Sequence, residues 1–223
     1  MFGLPHATEF NKRIPKNKFY EKLSVNNALK RVFVERVKNI VWKNKIAEST
    51  VNIKAGEKVT EIQVFEIQLY EQEFDVLPVL RLIDSDIPYH IIFALEHNGL
   101  YQLWTAYKEN STKGESVFKI DSYFHTEWFR ESEFKLDLKG LSLDDVYENF
   151  VRQIGGEILK TANNSKFENE TLQETVERTK QIEELEKKIQ ILKSKLRKER
   201  QFNVQVKLNA ELKELVTALK AVQ

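Results

Sequence analysis

Apolar and polar positions along this chain change period several times, and each change marks a predicted element. Leu29, Val32, Phe33, Val37 and Ile40 recur at helical spacing and predict a helix from an N-cap at Ser24 to about residue 47. Arg31, Lys38 and Lys45 follow at seven-residue intervals on its opposite side. Arg36 falls inside the apolar arc, where it either snorkels or reaches a buried carboxylate. "TEIQVFEIQLY" (60–70) then switches to period two, with Gln63, Phe65, Ile67 and Leu69 on one strand face and Ile62, Val64 and Glu66 on the other. A short helix is expected over 76–83, ended by "DSDIP" ahead of Pro88. Beyond it, two alternating strands flank Asn98-Gly99, a pair suited to the positive φ angles of a tight hairpin. A polar loop over 110–116 precedes "VFKIDSYFHTEWF", one or two further strands.

The last third is helical by pattern. Leu143, Val146, Tyr147, Phe150, Val151 and Ile154 make one apolar stripe, opened by a Ser142/Asp145 capping box and stopped at Gly155-Gly156. "TANNSKFENE" reads as a linker, and residues 168–223 contain neither Gly nor Pro. Ile182, Leu185, Ile189, Leu192 and Leu196 keep a/d spacing; the seam fails at Glu199 and resumes through Phe202, Val206, Leu212, Leu215, Leu219 and Val222. A straight helix of this length spans roughly 80 Å, twice the roughly 40 Å diameter of a body built from the preceding residues. It therefore folds back near residues 201–203, where Asn203 tolerates a left-handed turn, or pairs with another chain, or projects. The expected architecture is α+β: a mixed or antiparallel sheet flanked by helices over 1–160, a linker at 161–169, and a coiled-coil or helical-hairpin arm at 170–223.

Composition narrows the chemistry. With no Cys among 223 residues, disulfides, thiolate metal sites and Cys nucleophiles are excluded. No apolar leader and no run near 18 apolar residues is present, so a cytoplasmic protein away from membranes is expected. The net charge of +1 conceals segregation: +8 over 1–60, −11 over 61–150 and +4 over 151–223. Such blocks either meet one another within a fold or present a face to a polyanion. No phosphate loop, HExxH or Gly-flanked Ser elbow occurs, and the four His residues form no ligand set, so no cofactor is expected.

Several stretches ("FNKRIPKNKFY", "EKVTEIQVFEIQL", "DSDIPYHIIF", "YFHTEW" and "RQFNVQVKLN") together resemble a bacterial family, domain of unknown function 4391. The resemblance covers nearly the whole chain and brings no catalytic residues. Genes of this kind tend to sit near helicases and DNA methyltransferases of restriction or phage-defence type, so the resemblance implies a DNA-linked setting, with a helicase or methyltransferase as possible partner.

Three functional readings stand at this point. The first is a non-catalytic accessory or assembly subunit that self-associates or docks a partner through Ile182, Leu185, Ile189, Leu192, Leu196, Leu212, Leu215 and Leu219. The second is a divergent Mg²⁺-dependent nuclease. Its core needs an acid and then Glu/Asp-x-Lys, and this chain offers Glu61-x-Gln63 and Glu66-x-Gln68, with Gln in the Lys place. Glu66 is the main candidate; its alternative role is a half-buried partner for Arg36. The third is sequence-independent DNA binding through Lys12, Arg13, Lys16 and Lys18 with the Arg31, Lys38, Lys45 stripe. In that opening stretch Pro15 fixes an extended path, and Phe10, Ile14, Phe19 and Tyr20 are expected to pack down as a latch.

Overall fold

The computed structural model describes residues 1–21, 25–110, 118–160 and 170–223. It divides into two compact units, Met1–Gly155 and Gly156–Gln223. In the first, strand β1 (Glu9–Ile14) leads through helix α1 (Asn17–Glu21) to α2 (Asn27–Arg36), which passes directly into β2 (Val37–Ala47). A short α3 (Glu48–Val51), β3 (Glu61–Leu69), α4 (Leu77–Asp86), β4 (His90–His97), β5 (Leu100–Asn110), β6 (Phe118–His125) and β7 (Phe129–Arg130) follow, closed by α5 (Leu143–Lys160).

The strands form one sheet in the order β1-β2-β3-β4-β5-β6, with β7 also on β5. Among the described strands only β3 and β4 run parallel, joined across α4; the other strand pairs are antiparallel. The sheet is thus mixed, and the fold is α+β as the pattern implied. Helices α2 and α4 cover one face: Phe33, Val79, Leu80 and Ile83 pack with Phe65, Ile67, Ile91, Phe93 and Leu95. Tyr147 of α5 meets the opposite face, its hydroxyl donating to Ala106 O at 2.6 Å. Being covered on both sides, β3 is buried along almost its whole length.

The helix expected up to residue 47 stops at Arg36. Asn26, not Ser24, caps it, accepting from Leu29 N at 2.8 Å, and Ser24 lies outside the described residues. Residues 37–47 are a strand whose alternation is broken by bulges between Val37 and Asn39 and between Trp42 and Asn44. Its buried positions Val37, Ile40, Asn44 and Ile46 therefore lose period two and imitate helical spacing. Lys38 and Lys45 consequently sit on β2 and make no helix stripe with Arg31.

The hairpin turn forms at Asn98-Gly99, with φ of 52° and 80°. The Ser142/Asp145 box also forms: Ser142 N donates to Asp145 Oδ2 at 2.9 Å, and Asp145 N to Ser142 Oγ at 3.3 Å. Helix α5 runs past Gly155 and leaves helical geometry at Gly156, with φ 42° and ψ −122°. The expected linker at 161–169, and nearly all of the expected 110–116 loop, lie outside the described residues.

In the second unit, α6 (Leu172–Lys198) starts with a Thr171/Glu174 capping box and is followed after three residues by α7 (Phe202–Val222). The two pack together as a helical hairpin. The reversal uses extended backbone at Glu199 (φ −75°, ψ 133°) and Gln201 (φ −83°, ψ 118°), and no left-handed Asn203. Glu199 organises it: its Oε1 accepts from Arg200 N and Gln201 N, both at 2.8 Å, and its carbonyl accepts from Gln205 Nε2 at 2.7 Å.

Candidate functional site

The basic opening segment is sorted by what each cation touches. After Pro15 the chain turns into α1, which buries Phe19 while Ile14 and Tyr20 pack partly against the core. Phe10 packs on Trp42 of β2 but is not buried, remaining 44% exposed. Lys16 is committed to the fold. Its Nζ donates to the carbonyls of Phe33 (3.1 Å), Val34 (3.2 Å) and Val37 (2.6 Å), capping the end of α2 where unpaired carbonyls and the helix dipole favour a cation. Burial lowers its pKa. Lys45 pairs with Glu61 at 2.7 Å. Lys12, Arg13, Lys18, Arg31 and Lys38 remain exposed. Arg13 also donates from Nη2 to Asn39 Oδ1 at 2.7 Å.

The two Glu-x-Gln pairs point to opposite faces of β3, since an offset of five residues changes side. Glu61 accepts from Gln63 Nε2 at 2.8 Å and pairs with Lys45. Glu66 accepts from Gln68 Nε2 at 3.1 Å and lies 3.7 Å from Lys43. Gln68 Oε1 in turn accepts from Asn39 Nδ2 at 2.9 Å, so Arg13, Asn39, Gln68, Glu66 and Lys43 form one polar ladder across three strands. Arg36 is not Glu66's partner; it pairs with Glu71 at the helix end. Among the described residues no three acidic or His side chains gather as a metal group. Each carboxylate that a nuclease would assign to Mg²⁺ is held instead by a cation and an amide.

A polar centre that sequence reasoning did not single out lies inside the sheet unit. Lys108 of β5 and Asp84 of α4 form an ion pair at 2.7 Å, with both side chains 0% exposed. Asp84 Oδ2 accepts from Tyr123 O–H at 2.5 Å, and Lys108 Nζ donates to Tyr89 O at 2.7 Å. Burial pushes Asp84 up and Lys108 down, against their mutual attraction. On the other side of the sheet His90 sits edge-on to Tyr147, ring centroids 4.4 Å apart. Burial, reinforced by the charge of Lys108, drives His90 down to about 3. Burial also raises Tyr123 and Tyr147. The one available signal was period two: Trp104, Ala106 and Lys108 share a strand face, which puts a cation in an apolar row. With the Lys108 and Asp84 side chains wholly buried, this centre is suited to fixing the fold and not to meeting a substrate.

A second unflagged contact joins α5 to the loop before β3. The Asp144 carboxylate accepts from the backbone N–H groups of Glu57 (2.9 Å), Lys58 (3.1 Å) and Val59 (2.7 Å). Gly56 permits the approach, since a Cβ there would stand 2.1 Å from Asp144 Oδ1.

A family model described as a domain of unknown function (DUF4391) matches residues 2–219. The chain belongs to this family. No curated protein and no solved structure matches it.

In this DUF4391 chain the predicted interaction seam is used unequally. Ile182, Ile189 and Leu192 of α6 are buried, whereas Leu185 and Leu196 are half-buried. On α7 no residue is buried: Leu212, Leu215 and Leu219 stay half-exposed, with Phe202 75% and Val206 52% exposed. An open groove of about 510 Å³ is bordered by Glu183, Glu186, Lys187, Ile189, Gln190 and Lys193 of α6 and by Leu219 of α7. Among the described residues no helix is long and apolar enough to cross a membrane.

Proposed function

We propose that this protein is a non-catalytic assembly subunit of a cytoplasmic, DNA-associated system of restriction or phage-defence type, and that its C-terminal hairpin joins two copies of the chain. The observation that carries this reading is the unfinished burial of α7. Its apolar stripe stays half-exposed along the helix, with Phe202 and Val206 open beyond it. Two helices cannot enclose a seam of that width, whereas four helices can.

A second copy fits the signs of charge on α6. Residues 168–186 carry seven acids and two cations, and 187–200 carry seven cations and one acid. An antiparallel mate with its dyad near Lys188 places Glu183 opposite the mate's Lys193, and the symmetry repeats the pair. A parallel mate would set like charges side by side. The DNA-associated setting rests on the family resemblance, and a helicase or methyltransferase is the partner class it suggests.

Light scattering after size exclusion tests the assembly. The full chain should elute at about twice its 26.3 kDa mass. Leu215→Asp, which places a charge in the seam, should return it to one copy. A wild-type chain that stays monomeric at about 100 μM, a level where even weak specific dimers form, would remove the proposal. The nuclease alternative predicts plasmid nicking with Mg²⁺ that disappears in Glu66→Ala; with Glu66 tied to Lys43 and Gln68, no nicking is expected.

A further inference from the structure

We infer that the β1 edge of the sheet binds single-stranded nucleic acid, with Phe10 as the stacking platform and Lys12, Arg13 and Lys38 as the phosphate contacts. Strand β1 ends the sheet, and positions 9–13 are all exposed. Edge strands in monomeric proteins commonly carry Lys, Arg and a bulge to block pairing with another chain. That protective role accounts for Lys12, Arg13 and the irregular register between Glu9 and Lys12, where Asn11 has φ 49°. It does not account for Phe10. An exposed aromatic ring on an edge strand adds to the hazard that such protection removes.

The ring is held in place. Phe10 lies against Trp42 of β2 with centroids 4.2 Å apart and planes tilted by 41°, and Lys12 stands opposite Trp42 in the strand register. One side of Phe10 is therefore backed by a second aromatic while 44% of the residue is exposed, so a base can stack on it without ordering the side chain first. Arg13 projects from the alternate side of the strand. Its contact with Asn39 uses one nitrogen and steadies the guanidinium while leaving other donors for a phosphate. Lys38 is exposed on the neighbouring strand. The one acid of β1, Glu9, is occupied by His6 at 2.7 Å. Aromatic stacking beside a short cationic row suits an unpaired strand, because a base inside a duplex cannot offer its face.

The test is fluorescence anisotropy of labelled oligo-dT and oligo-rU of about fifteen nucleotides, a site size typical of such binders, against a duplex of equal length. The full chain should prefer either single strand to the duplex. Phe10→Leu keeps apolar packing on Trp42 but removes the π-face, and should weaken single-strand binding on the order of tenfold; Phe10→Tyr should match wild type. Three phosphate contacts give a log–log salt slope of about −2, and Lys12→Ala/Arg13→Ala should bring it to about −0.7. No binding at about 100 μM protein in about 50 mM salt, equal affinity for the duplex, or unchanged affinity in Phe10→Leu would each overturn the inference. Thermal melts of the variants check that the fold survives. Leu215→Asp should bind as wild type, so a failure of the assembly reading and a failure of this one are separable.

Discussion

Removing Lys108 alone should be among the most damaging single substitutions in the sheet unit. Lys108→Met leaves the buried Asp84 carboxylate with the Tyr123 hydroxyl but without the ammonium, and takes from Tyr89 O the hydrogen bond of Lys108 Nζ. Breaking one side of a buried pair costs about 3–5 kcal/mol. At a urea m-value of about 2 kcal/mol/M, the midpoint should fall by about 1.5–2.5 M. Asp84→Leu should cost a similar amount, because it takes the carboxylate from beside a buried ammonium and leaves the Tyr123 hydroxyl without its acceptor. The double substitution Asp84→Leu/Lys108→Met removes both charges and leaves two neutral orphans, Tyr89 O and the Tyr123 hydroxyl, at about 1–3 kcal/mol each. The cycle should therefore show a coupling of about 4 kcal/mol, and adding Tyr123→Phe should recover about another 1 kcal/mol. Tryptophan fluorescence is a clean reporter, since Trp42, Trp104 and Trp128 all lie in Met1–Gly155. A cost below about 1 kcal/mol for Lys108→Met, or additive single substitutions, would refute the view that this pair organises α4 against β5 and β6.

His90 gives a pH signature. Its folded pKa of about 3 lies below the ordinary histidine value of 6.5, so between those values the unfolded chain takes up a proton that the native one refuses, and stability falls as pH falls. From pH 7 to about 4.5 its share is on the order of 2–3 kcal/mol; His90→Gln should lose that share, and an identical pH profile in both proteins would contradict it. Asp144→Ala removes the acceptor of three backbone N–H groups and should cost about 2–3 kcal/mol. Gly56→Ala should cost about as much by displacing the carboxylate, and the double substitution should be well short of additive in chemical denaturation. Lys16→Met should destabilise by about 1–2 kcal/mol through the end of α2, with Lys18→Met close to neutral; equal effects would argue against the cap.

What could be read in advance depended on how local its cause was. Asn98-Gly99 encodes its own backbone angles, and Ser142/Asp145 closes within a single turn, so both were visible in the sequence. The Glu61 and Glu66 pairs were also separable, because an odd offset on a strand means opposite faces. Residues 37–47 misled because two bulges erased the alternation of a strand and left a spacing that suits a helix. Lys16 carried the look of a binding cation, and only the distant carbonyls of Phe33, Val34 and Val37 give it another use. The partnership of Asp84 with Lys108 spans α4, two strands and a turn, and no short window contains it. Phe10 was expected to bury with its neighbours; at the sheet edge it packs on Trp42 yet stays 44% exposed. In the arm, the a/d pattern announced pairing helices but could not say whether the first mate was the same chain.

The central claim, a hairpin completed by an antiparallel second copy, is tested most directly by single-cysteine cross-linking, because the chain has no native Cys. Lys187→Cys lies next to the proposed dyad, so its two copies stand about 3 Å apart along the axis. Gln173→Cys, at the far end of α6, would be separated from its counterpart by about 45 Å. The account predicts rapid cross-linked dimer from Lys187→Cys and none from Gln173→Cys. Efficient cross-linking at both positions would mean a parallel pair, cross-linking at neither would mean no pair at this face, and either result would contradict it.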